Sequence, residues 1–354
     1  MTEGLPILHD RAVRGFASDN YSGIHPEVLD AIARANGGHQ TAYGEDVYTA
    51  RLQEVFKQHF GDRVEAFPVF NGTGANVVAL QAVTQRWESV VCTASAHIHV
   101  DECAAPERMG GLKLTTVPTP DGKFTPSLID TVAIRLNDEH HAQTKVVSIT
   151  QTTELGTAYS VEEIAAIAEH VHTRGWVLHV DGSRLSNAAA TLGVSFKQMI
   201  TDTGVDILSF GGTKNGLMLG EAVLVLNPDV VTGMKYLRKQ SMQLASKMRF
   251  VSTQLEALLT DSLYLRNASH SNAMARLLAE KVRDIPGLQI PRPVQANAVF
   301  AILPTAVSER LMENFRFYFW DEATGEVRWM CAFDTTQEDV ETFAAAIRVE
   351  MAAG

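Results

Sequence analysis

The sequence predicts an α/β protein: a large domain around a mostly parallel central sheet, followed by a smaller α/β C-terminal domain. Two features carry this expectation. Short, nearly all-apolar runs alternate with amphipathic stretches through much of the first 230 or so residues, and such runs arise where helices cover both faces of a sheet. Beyond about residue 229 the alternation gives way to a mostly helical stretch and then to two more strand patterns.

In chain order, the first 25 residues show no strand–helix unit and read as an arm. The strand candidates are VEAFPVF (64–70), SVVCT (89–93), KLTTVP (113–118), KVVSIT (145–150), WVLHVD (176–181), VDILSF (205–210) and EAVLVLN (221–227). Their apolar runs fit strands of a buried sheet. Between the fourth and fifth, VEEIAAIAEHVHTRG (161–175) sets apolar residues at helical spacing. SFKQMITDTG reads as a helix leading into VDILSF. Residues 229–284 read as mostly helical, then come NAVFAIL (297–303), an amphipathic stretch, a strand around EVRWMCAF (326–333) and a helix from about Gln337. The chain of 354 residues exceeds the roughly 150 of an average domain. The division expected is an arm 1–25, a large domain 26–255 and a small domain 256–354.

Composition excludes several classes. The net charge of −11, from 41 acidic and 30 basic side chains, argues against a nucleic-acid surface, which needs clustered Lys and Arg. No stretch approaches the roughly 18 continuous apolar residues of a membrane helix, and MTEGLPILHD lacks a basic-then-apolar leader pattern. Cys92, Cys103 and Cys331 form no C-x-x-C pair. Reduced thiols in the cytoplasm are therefore expected.

The candidate chemistry lies at strand ends. WVLHVD ends in Asp181 and is followed by Gly-Ser-Arg, and open α/β sheets bind ligands at the carboxyl ends of their strands. One crossover later, VDILSF runs into Gly-Gly-Thr-Lys-Asn-Gly, which carries Lys214. This is no Walker loop, because Asn215 follows the lysine. Glycines beside a lysine let a bulky group approach the backbone, and a desolvated lysine can lose its proton and attack a carbonyl. A capping aspartate and a solvated lysine are the plainer alternative.

FNGTGANVVALQAV follows the first strand. Gly72, Thr73 and Gly74 would open a helix whose N–H groups and dipole suit a phosphate, although Asn-Gly-Thr-Gly is also an ordinary N-cap turn. In SAHIHVDEC, His97, His99 and Asp101 would share one face of an extended segment. That spacing could hold a metal, but the other histidines give no evident completing ligand, and no metal is expected. His97 serves better as an aromatic platform or an acid–base group. Arg184 and Arg328 could each fork onto a carboxylate.

As an ordered set, these residues resemble the L-threonine aldolases, pyridoxal-phosphate enzymes of fold type I, and most closely the low-specificity branch. The matching segments span nearly the whole chain: FASDNYSGIHPE, AYGED, FNGTGAN, AHIHVDEC, ITQTTELGT, HVDGSRLSNA, SFGGTKNG, QLASKMRF and EVRWMCAFDT.

The resemblance implies a set of roles. Lys214 would bind the aldehyde of pyridoxal 5'-phosphate, Asp181 would pair with the pyridine nitrogen, and His97 would stack on the ring and is the first candidate for the base. Gly72, Thr73 and Gly74 would cradle the phosphate, with Thr213 and Arg184 also near the cofactor. Ser18, Arg184 and Arg328 would grip the substrate carboxylate. Tyr43 and Arg249 would reach in from a neighbouring subunit, so a homo-oligomer, dimer or tetramer, with shared sites is implied.

Ser183 stands where many relatives have alanine. Thr153 stands where another branch carries a histidine near the substrate's β-hydroxyl. The implied reaction cleaves β-hydroxy-α-amino acids, small molecules such as L-threonine and L-allo-threonine, to glycine and an aldehyde. A phenylserine-selective aldolase or a β-eliminating lyase on the same fold remains the alternative.

Overall fold

The computed structural model describes residues 6–353. Seven strands, β1 (Glu65–Val69), β2 (Glu88–Thr93), β3 (Lys113–Val117), β4 (Gln143–Thr150), β5 (Val177–Gly182), β6 (Ile207–Gly211) and β7 (Glu221–Val225), form one sheet in the order β1-β7-β6-β5-β4-β2-β3. β2 through β6 pair in parallel, while β7 lies antiparallel between β1 and β6. Every strand but β7 therefore ends at the same edge.

Both faces of the sheet are covered, as the apolar runs require. Alternate residues of one strand enter different cores: Leu208 and Leu224 join Phe56, Phe60 and Phe196, whereas Ile207 and Val223 join Leu80, Val90 and Ile98. The helix Val161–His172 begins with a capping box between Ser160 and Glu163 and buries Ile164, Ile167 and Val171.

SFKQMITDTG departs from expectation. It forms only one wide turn, Lys197–Thr201, and the helix that crosses between β5 and β6 is Leu185–Leu192, ended by Gly193 at φ 67°. The helical stretch after residue 229 is broken as well, because Asp261 and Ser262 adopt left-handed φ of 48° and 56° between helices Arg249–Leu259 and Leu263–Val282.

A second sheet holds β8 (Ala298–Ile302), β9 (Tyr318–Asp321) and β10 (Glu326–Met330), antiparallel in the order β8-β10-β9. The arm joins it: Phe16 donates its N–H to Arg316 O at 2.7 Å and accepts from Met330 N at 2.7 Å. The Phe16 ring stacks on Phe343 at 4.4 Å, in a core with Trp329. This docking carries Ala17, Ser18 and Asp19 toward the first sheet.

Candidate active site

The carboxyl edge of the large sheet gathers one polar group after another. β1 leads into the helix Gly72–Val83, β2 into a helical turn that starts at His97, β4 into Thr153 and Glu154, β5 into Asp181 and β6 into Lys214. Parallel register sets Thr150 beside Asp181 and Gly182 beside Phe210. Such an edge is where open α/β sheets bind ligands.

Lys214 sits in the short turn Thr213–Asn215, closed by Gly216 at φ 106°. Burial and then the charge of Arg184 hold its amine below the usual lysine range, against the opposing pull of Asp19, Asp181 and Glu221. The flanking glycines have a different reason from the one expected. A Cβ on Gly211 would come within 2.5 Å of Ser183 O, and one on Gly212 within 2.4 Å of Leu217 Cδ1. Packing within the chain, rather than room for a ligand, requires them.

Asp181 is joined to a polar chain that reaches His97. Asn76 Nδ2 donates to Asp181 Oδ2 and to Glu102 Oε1, both at 2.8 Å, and His97 Nδ1 lies 2.8 Å from the same Glu102 oxygen. Asp181 also caps its own turn, accepting from Ser183 N at 3.0 Å. Burial alone would raise its pKa, but the Asn76 hydrogen bond and the charges of Lys214 and His97 keep it below the ordinary carboxylate range. The Glu102 bond raises the pKa of His97 despite burial.

The HIHVDE segment is not extended. His97–Val100 is a helical turn, so His97, His99 and Asp101 do not share the face that alternation would give them. Among the described residues, no group of three or more His, Cys, Asp or Glu side chains could hold a metal ion. Glu154 fixes the start of this turn, accepting from His97 N and Thr150 Oγ1 at 2.8 Å each. Burial and then the charge of Asp181 raise its pKa.

The Gly72 turn is an N-cap and an open helix end at once. Asn71 caps Gly74 N at 2.8 Å, while the N–H groups of Gly72 and Thr73 have no acceptor among the described residues. A Cβ on Gly72 would meet nothing within 4 Å, whereas one on Gly74 would strike the Gln243 side chain at 2.3 Å. Open space thus lies over Gly72, and Gly74 is occupied by the protein's own packing.

Two arginines face one another's field. Arg184 forks onto Asp19 at 2.7 and 2.9 Å, and Asn297 donates to the same carboxylate at 3.1 Å. Burial opposes this charge, but Arg184 holds Asp19 below its usual range. Arg328 donates to Ala17 O at 3.3 Å, lies over the Trp320 ring, and leaves its buried Nε without a partner among the described residues. Burial and the nearby Arg184 push it down to about 10. Ser18 caps the short helix Asp19–Tyr21 by accepting from Asn20 N.

Other expected site residues lie elsewhere or are engaged. Thr153 is buried, and its hydroxyl is shared with Thr157 at 2.7 Å. Thr213 accepts from Gly220 N at 3.2 Å. Tyr43 is half exposed beneath Lys239, and Arg249 donates to Gly38 O at 3.2 Å on the exposed side. Neither is brought to this chain's Lys214 by any hydrogen bond or ring contact among the described residues. Asn76, Asp19 and Asn297 escaped the sequence reading. Asn76 carried the best signal, lying one helical turn beyond Gly72, while Glu102 and Glu154 sat unassigned within motifs already noted.

The comparisons with known proteins bear on the family and the fold. The beta-eliminating lyase family model matches residues 15–306. The low specificity L-threonine aldolase of Pseudomonas aeruginosa is 46% identical over 340 residues, covering 96% of this chain and 98% of that protein. A solved structure of Leishmania major threonine aldolase superposes with a TM-score of 0.89 at 28% identity, covering 95% of this chain and 99% of that one. Oryza sativa TDC, solved with PLP and tryptamine, shares the fold at a TM-score of 0.72 and 13% identity, over 96% of this chain and 84% of its own.

Proposed function

The chain belongs to the beta-eliminating lyase family, and from that footing we propose how it works as a lyase on β-hydroxy-α-amino acids. It cleaves L-threonine, and by our reading L-allo-threonine and related substrates, between Cα and Cβ, giving glycine and an aldehyde. Acetaldehyde is the product from threonine. The observation that carries this reading is the convergence of Lys214, Asp181, His97 and Arg184 at one sheet edge, with Arg328 supplied from β10 of the second sheet.

Pyridoxal 5'-phosphate is the cofactor we assign, and the residues present fit it. The unpaired N–H groups of Gly72 and Thr73 at a helix N-terminus suit a phosphate. An amine held toward its neutral form suits an aldehyde, and a carboxylate kept ionised suits a protonated ring nitrogen. Bound there, the cofactor supplies an electron sink for the cleaved bond.

The chain's own groups do the rest. Arg184, braced by Asp19, and Arg328 hold the substrate carboxylate. Glu102, as a carboxylate, accepts the Nδ1 proton of His97 and leaves Nε2 to take the proton of the β-hydroxyl, directly or through water. Asn76 keeps Asp181 and Glu102 in place. We assign Tyr43 and Arg249 to a neighbouring subunit's site in a dimer or tetramer. The exposure of Tyr43 on this chain supports that reading, and Arg249 is partly exposed. Among the described residues no helix is long and apolar enough to cross a membrane. Three free cysteines favour the cytoplasm as its place of work.

The same constellation could serve β-elimination, and the family's name keeps that reaction in view. Product analysis on the four threonine stereoisomers, with pyridoxal phosphate added, separates the two. Glycine and acetaldehyde in equal amounts from the L-isomers support the aldolase. Ammonia with an oxo acid would replace it with elimination.

A further inference from the structure

Behind the lysine turn lies a carboxyl that the reaction above does not use. Glu221 opens β7 and is buried, at 7% exposure. Its register neighbours are Gly211, the last residue of β6, and Val69, the last of β1. It therefore stands between the strand that leads to Lys214 and the strand that leads to Gly72. Glu221 Oε2 accepts the Gly212 N–H at 2.6 Å, and the Thr213 hydroxyl also bonds to this carboxyl. Gly212 and Thr213 are the two residues immediately before Lys214.

We propose that Glu221 is a positioning residue for Lys214: its carboxyl fixes the turn from which the amine projects, and its charge adds to those that bias that amine's proton. The proposal rests on the reading of Lys214 as the cofactor-binding amine and adds a regulator to it. A brace alone would need only a neutral acceptor, yet a carboxyl is buried here, at a desolvation cost.

Burial pushes Glu221 up to about 7, against the Thr213 and Gly212 hydrogen bonds and the charge of Lys214. Its ionisation therefore falls in the neutral range, and the ionised form favours the charged amine. Asp19 and Asp181 also favour that charge, and Arg184 opposes it. Those two aspartates are held below the carboxylate range and Arg184 above the arginine range, so all three stay charged near neutrality. His97 also feels the charge of Lys214 and titrates above its usual value, so the test must separate it from Glu221.

The test uses cofactor-free protein. Lys214 is labelled by reductive methylation across a pH series, and its peptide is quantified by mass spectrometry. Glu221→Gln keeps an acceptor for Gly212 N–H and removes the charge. The expected result is a Lys214 midpoint lower by about one pH unit, with labelling about twofold faster near pH 7, where Glu221 is half ionised, and approaching about tenfold at higher pH, where its full charge would be present. An unchanged or higher midpoint overturns the proposal.

Should Glu221→Gln fail to fold, His97→Asn decides. A labelling curve that still bends near neutrality supports Glu221, and a single titration overturns it. Because no cofactor or substrate is present, failure here is distinct from failure of the aldolase reading, which would show as no glycine from threonine.

Discussion

Asn76 and Asp181 are joined by a hydrogen bond of 2.8 Å, and the second hydrogen of the same amide goes to Glu102 at the same distance. One side chain, a single turn inside the helix that opens at Gly72, thus couples the carboxylate at the end of β5 to the one that orients His97. Asn76 is 1% exposed, so water has little access to replace it.

Asn76→Ala leaves two buried carboxyl groups each short of a donor. At about 1–3 kcal/mol for each unsatisfied group, a loss of roughly 2–6 kcal/mol is expected. Urea unfolding of the cofactor-free protein measures it. An unfolding free energy equal to wild type would contradict the bridge.

Glu102→Gln probes the base. The bond to Glu102 is the largest influence raising the pKa of His97 above 6.5, and a base must be neutral to act, so activity should rise as pH climbs through that value. Removing the carboxylate lowers the pKa, moves the acidic limb of kcat/KM toward lower pH, and costs roughly 10²-fold in rate. The linked stability is present below the unfolded histidine value and is lost as pH rises through the folded one. An acidic limb that stays put assigns the base to another group.

How much of this was legible in the sequence depended on where each side chain is buried. The central strands of the large sheet were readable because cover on both faces makes them nearly continuous apolar runs, whereas the half-buried edge strands β1 and β3 showed through their β-branched and aromatic residues. β9 was not, because Tyr318–Asp321 has no buried residue and so no alternation to detect. Helix Leu185–Leu192 escaped for the opposite reason: Leu185 through Ala189 are all buried, which leaves no polar stripe.

In the site, Asp181 and Lys214 stood out because they end strands. Asn76 and Asp19 act across 105 and 165 residues of chain, and no local pattern distinguishes a bridging amide or a bracing carboxylate from an ordinary polar residue. The glycines around Lys214 were visible, but their reason lay in the backbone of Ser183 and the side chain of Leu217, which only the fold brings close.

Asp19→Asn should expose the dependence of Arg184 on its partner. The pair is buried, with side-chain exposures of 13% and 1%, and losing one member of a buried pair costs about 3–5 kcal/mol. Asp19 is held below its usual pKa, so its contribution is present above the unfolded aspartate value and is lost as pH falls through the folded one. The difference between wild type and variant in urea unfolding should therefore shrink in acid. A difference that persists unchanged there points to packing instead of charge.

Arg328→Ala should weaken the hold on the amino acid while leaving cofactor uptake intact. Loss of a charged hydrogen bond of about 1.5–3 kcal/mol corresponds to a KM higher by roughly 10- to 100-fold. Titration with threonine and with pyridoxal phosphate separates the two effects. Unchanged substrate affinity would make Arg328 structural and leave Arg184 to act alone.

The central claim is that Lys214 is the amine on which the cleavage depends. The most direct measurement compares wild type and Lys214→Ala, each with added pyridoxal phosphate and L-threonine, by quantifying glycine and acetaldehyde. Wild type should release both in equal amounts, and the variant should lose nearly all turnover. Aldehyde release by Lys214→Ala at the wild-type rate would contradict the account.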